Sequence, residues 1–244
     1  MSTDQAASPA DAEAPASPAP GRSARWRLVS VVLAAALVLA LGGLALVWAQ
    51  GSRGAAEDSP AVGFARDMYG HHGQAVTMAM LVREQGSDPR VAAFAEEVIT
   101  SQAEQQGVMV GWLHEQGVPA TSTQAPMAWM DGAAMGGHSS GHEGMGDAAA
   151  MTPEQAREAM GMASDTQLAE LGRATGTAAD LLFVQLMTPH HEGAVEMAEA
   201  FLAMSDEPQM TWLAEAVVTG QERELRILAD LEADLAADLS AQPA

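Results

Sequence analysis

Two pairs of adjacent histidines, His71-His72 and His190-His191, stand among methionines at helical spacing, a combination able to hold soft metal ions. Met68 lies three residues before His71 and Met78 seven after it; Met187 and Met197 flank His190 in the same way. Positions i, i+3 and i+7 share one face of an α-helix, so each set lines a single stripe. Imidazole nitrogen with thioether sulfur suits soft or borderline ions, copper above all. Thioether survives an oxidising exterior where a thiolate would not, and the chain has no cysteine. The ordinary alternative is equally concrete: methionine fills helical cores, and buried histidines bridge helices by hydrogen bonds. Neighbours in a helix lie about 100° apart around its axis. One histidine of each pair is therefore expected inward and the other at an edge or groove.

A second candidate cluster lies in residues 120–150, where Met127, Met130, Met135, His138, His142 and Met145 occur among glycines. His138 and His142 are the metal candidates there, and a low-complexity linker is the competing reading. Catalytic motifs are missing. No Glu-x-x-His or HExxH occurs, since His191-Glu192 runs into Gly-Ala-Val and His142-Glu143 into Gly-Met-Gly. With no GxSxG, phosphate-binding glycine loop or cysteine nucleophile, an enzyme is not expected.

The elements that must position these side chains are helices. Ser59-Pro60 and Asp88-Pro89 supply caps with proline in the first turn. The first helix ends at Gly86 and the second near Gln116. Thr152-Pro153-Glu154-Gln155 reads as a capping box opening a short helix, broken at Gly161 and restarted from Ser164. Two more long helices are predicted over about 178–204 and 207–236. The sequence repeats itself at a fixed offset: Phe64, Met68, His71, His72, Ala75, Val76 and Met78 correspond to Phe183, Met187, His190, His191, Ala194, Val195 and Met197. Pro89, Thr100 and Gln102 fall on Pro208, Thr219 and Gln221. A lone helical hairpin cannot bury its apolar face, whereas two can. The expected fold is all-α, an antiparallel four-helix bundle built from two repeated hairpins over 59–236, with 120–150 as the crossover.

Residues 28–49 carry no charge, and Arg22, Arg25 and Arg27 precede them. A 22-residue helix rises about 33 Å, enough for a hydrocarbon core of roughly 30 Å. This predicts one transmembrane helix, a disordered cytoplasmic tail at 1–27, a tether at 50–58, and the remaining chain outside the cytoplasmic membrane. Cleavage near Ala49 and secretion is the alternative. Residues 1–50 are charge-balanced, so the rest carries the entire net charge of −21. Such a field repels phosphate backbones, and no nucleic-acid partner is expected.

The segments FARDMYGHHGQAVTMA at 64–79 and LMTPHHEGAVEMAEAF at 186–201, with Trp-Leu at 112–113 and 212–213, resemble the DUF305 family over about 59–232. The resemblance implies an exported, ferritin-like bundle, in a family where some members bind copper or silver through Met and His. It implies Met68, His71, His72, Met78, Met187, His190, His191 and Met197 as ligands. The family places Gln-x-x-Glu in the helix after each motif: Gln221 and Glu224 match, whereas the first copy has Gln102 and Gln105. A mid-helix methionine survives as Met109, but Ile227 or Leu228 stands in the second half. The functional expectation is membrane-anchored, extracytoplasmic binding of Cu(I), for sequestration or transfer to a metal-handling partner. Its alternative is a non-enzymatic structural or protein-interaction module without bound metal.

Overall fold

The computed structural model describes residues 22–51, 55–132 and 151–241. They fall into two units, Met1–Arg53 and Gly54–Ala244. The first contains one helix, α1 (Arg22–Gly51). No helix among the described residues is long and apolar enough to cross a membrane. The expectations of a transmembrane helix at 28–49, a membrane partner and a single-pass location are corrected accordingly.

In the second unit, α2 (Pro60–Gln85) and α3 (Pro89–Glu115) form one hairpin, and α6 (Thr177–Met204) and α7 (Pro208–Ala241) form the other. Ser59 accepts from the Val62 N–H and Asp88 from the Arg90 N–H, so each helix of the first hairpin starts on a side-chain cap with proline behind it. Between the hairpins lie a 3-10 turn (Ala128–Gly132) and two short helices, α4 (Pro153–Ala159) and α5 (Asp165–Leu171). Thr152 with Gln155, and Ser164 with Gln167, form complete capping boxes at α4 and α5.

Helices α2 and α6 run antiparallel against each other, as two apolar clusters show. One joins Ala61–Met68 at the start of α2 to Ala194–Phe201 at the end of α6, with Phe64 and Phe201 stacked at 4.5 Å. The other joins the end of α2 (Ala75, Met78, Val82) to the start of α6 (Phe183, Val184, Met187), with Phe94 of α3 edge-on to Phe183 at 6.2 Å. Asp180 in the first turn of α6 locks the hairpins at one end. Its Oδ2 accepts from Ser87 N, Ser87 Oγ and Asp88 N at 2.9, 3.1 and 3.0 Å.

The antiparallel four-helix bundle with a transmembrane helix ahead of it is thus replaced by an all-α arrangement of seven helices among the described residues. The physical reason lies in the crossover. It is not a loop beside four equal helices, because α5 and the 3-10 turn pack into the α2–α6 junction. The hairpins meet chiefly through α2 and α6, far less through α3 and α7.

Candidate functional site

Between the two apolar clusters the α2–α6 interface turns polar. His71, His72, His190 and His191 are all buried there, none more than 1 % exposed. The expectation of one inward and one edge histidine per pair is therefore corrected. The second helix of each hairpin supplies a partner for the residue that would otherwise face out. His72 Nε2–H donates to Gln105 Oε1 of α3 at 2.6 Å, and His191 Nε2 meets Glu224 Oε2 of α7 at 2.7 Å. His71 and His190 instead face each other across the hairpin junction, their ring centroids 3.7 Å apart. His71 Nε2–H donates to the Met160 carbonyl, at 3.0 Å, in the turn after α4.

Burial sets the charge state. Desolvation pushes His71 down to about 3, helped by the nearby His72, and only partly opposed by the Met160 carbonyl. Desolvation likewise lowers His72 to about 4, against the hydrogen bond to Gln105, and holds His190 well below its ordinary value. These three rings are neutral at pH 7. In His71 and His72 a committed Nε2–H leaves Nδ1 as a bare lone pair. Among the described residues, Nδ1 of His71, His72 and His191 and both ring nitrogens of His190 have no hydrogen-bond partner. Gln102, and Oε1 of its repeat counterpart Gln221, are also buried without one.

The eight Met and His candidates are thus all buried, but not gathered at a point. Met68 and Met197 belong to one apolar cluster, Met78 and Met187 to the other, with the histidines between. His138 and His142 lie outside the described residues. Among the described residues no group of three or more His, Asp or Glu side chains is arranged to hold a metal ion. Together with the absence of a membrane-crossing helix among the described residues, this overturns the expectation of a membrane-anchored Cu(I) carrier.

Several contributors escaped sequence reasoning. Gln105 looked like a defect in a Gln-x-x-Glu pattern, yet it holds the same place as Glu224, thirty-three residues after its histidine. Offset counting alone identifies it. Met160 acts through its backbone carbonyl, which leaves no side-chain signal. Asp67 fixes the 3-10 turn by accepting from Met127 N at 2.7 Å and Trp129 Nε1 at 2.8 Å, and burial raises its pKa against those hydrogen bonds. Trp129 in turn lies against Gly63, where a Cβ would come within 2.4 Å of the indole.

Paired helical hairpins with a buried His and Met layer at their junction define the class of protein. The chain belongs to the DUF305 family, whose model, described as a domain of unknown function, matches residues 61–232. A DUF305 protein of Streptomyces coelicolor, described as a candidate secreted protein, is 36% identical with a TM-score of 0.61, covering 74% of this chain and 96% of its own. A DUF305 fragment from Deinococcus radiodurans is 26% identical with a TM-score of 0.57, covering 72% and 96%. CopM in its Cu(II)-bound form shares the fold at 23% identity and a TM-score of 0.51, covering 72% and 97%. No protein of curated function matches the chain in sequence.

Proposed function

We propose that residues 59–236 form a non-enzymatic helical module, structural or protein-binding, whose histidine layer fixes the register of the two hairpins without metal. The observation carrying this reading is the close His71–His190 pair, its rings tilted at 33° with centroids 3.7 Å apart, neutral and enclosed between apolar clusters. A buried polar layer disfavours slipped pairings, because any slip leaves donors such as His72 Nε2–H without their acceptors. The match at 109 and 228 agrees. Met109 and Leu228 sit at the same repeat offset, both fully buried, so shape is kept where a soft ligand is not. The test is thermal unfolding of the full chain and of a His71→Asn/His190→Asn double variant, with and without chelator. A fall in Tm of the same size in both conditions is expected; a fall that vanishes in chelator contradicts the proposal.

A second reading concerns copper as a bound ion. The unpartnered Nδ1 atoms favour it, because histidines that ligate a metal usually donate their other N–H to a carbonyl or carboxylate. Buried methionine sulfur beside neutral imidazole also suits Cu(I), and a CopM structure is described as Cu(I)-bound. Competition for Cu(I) against a chromophoric chelator decides it: wild type must compete, and the double variant must not.

A further inference from the structure

Among the described residues, the face of the α2–α6 junction bearing His71 and His190 is covered by a short piece of chain, the turn Met160–Ala163 between α4 and α5. Three observations describe how it is held. Gln74 grips Ala163 twice, donating from Nε2 to its carbonyl at 2.8 Å and accepting its N–H on Oε1 at 2.7 Å. Met160 accepts from His71. The turn also lies backbone against backbone on α6: a Cβ on Gly161 would sit 1.9 Å from the Pro189 carbonyl oxygen, and one on Gly193 would sit 2.0 Å from that of Met160. Gly161 has φ +70, a left-handed conformation that side chains resist. The flanking helices are lightly anchored, for Ala156 is the one buried residue of α4 and Leu171 that of α5. Such short, sparsely buried elements open locally at lower free energy than the long helices they cover.

We infer that the Met160–Ala163 turn is a hinged cover, and that its local opening is the route by which solvent or a small ligand reaches His71 and His190. The opposite approach, between α3 and α7, meets His72 and His191 first, since these two are bonded to Gln105 and Glu224 on those helices. The two routes therefore expose different histidines. The cover acts whether the layer is purely structural or takes an ion, so it stands apart from both readings above.

The experiment is timed carbethoxylation of the full-length protein with diethyl pyrocarbonate, read histidine by histidine by peptide mass spectrometry. Exposed His114 serves as the internal reference for reagent activity. Gln74→Ala removes the grip and Gly161→Ala forces the turn off α6; circular dichroism checks that each variant keeps its helix content. In both variants His71 and His190 should react at least tenfold faster than in wild type, with His72 and His191 unchanged. Equal rates in variant and wild type would overturn the inference. So would acceleration of all four histidines together, or of His72 and His191 first. Should Gly161→Ala unfold, Gln74→Ala alone decides, because it removes only side-chain atoms beyond Cβ.

Discussion

The two hairpins perform the same structural task with different chemistry at one position. In the first, His72 is held by the neutral amide of Gln105; in the second, His191 is held by the carboxylate of Glu224. The geometry hardly differs, at 2.6 and 2.7 Å, and both histidines are fully buried. What the layer needs at this place is an acceptor oxygen, not a charge. The two acceptors differ in chemistry, an amide oxygen against a carboxyl oxygen, and the cost of losing each is what tells them apart.

The largest expected effect breaks the comparison in the second hairpin. Glu224→Leu should destabilise by about 3 kcal/mol, since it leaves His191 Nε2 without its acceptor in a dry interior. Gln105→Leu should cost less, about 1–2 kcal/mol. Urea unfolding of the two variants measures the gap, and equal losses would mean that the carboxylate confers nothing special. Glu224→Gln should then restore most of the loss by copying the first hairpin into the second.

Acid sharpens the same contrast. His71 and His72 have folded values of about 3 and about 4, below the ordinary 6.5. Between those limits the unfolded chain binds more protons than the folded one, so stability rises with pH there and falls on acidification from about 6.5 downward. Unfolding midpoints measured across pH 4–7 should show this slope, and His72→Gln should flatten part of it. A midpoint that rises on acidification would contradict neutral, buried rings.

Much of this was legible from residue types. The repeat offset located both histidine pairs, and the caps at Ser59, Asp88, Thr152 and Ser164 located helix starts, because each is a local signal written in side chains. What could not be read is nonlocal or made by backbone. The Met160 carbonyl on His71 and the Asp180 cap on the Ser87–Asp88 turn join residues roughly ninety positions apart. Adjacent histidines looked unable to share an interior because a single helix was in view. Two neighbouring helices, α6 for His71 and α3 for His72, bury both. The membrane assignment drew on the apolarity of 28–49, whereas no helix among the described residues is long and apolar enough to cross a membrane.

Smaller effects mark where the comparison stops. Asp67→Ala should cost about 1 kcal/mol by freeing the Trp129 N–H and loosening the 3-10 turn, readable as a change in tryptophan fluorescence. Arg90→Ala removes exposed pairs with Asp88, Asp234 and Asp238 and should leave Tm unchanged within error.

The most direct test of a metal-free histidine layer is a long-range ¹⁵N–¹H spectrum of the imidazole rings in the full chain at pH 7. His71 and His72 are expected as neutral Nε2–H tautomers, and the ring signals of His71, His72, His190 and His191 should stay in place when Ag(I) is added. Displacement of the Nδ1 resonances by one equivalent of Ag(I) would contradict the account and assign those lone pairs to an ion.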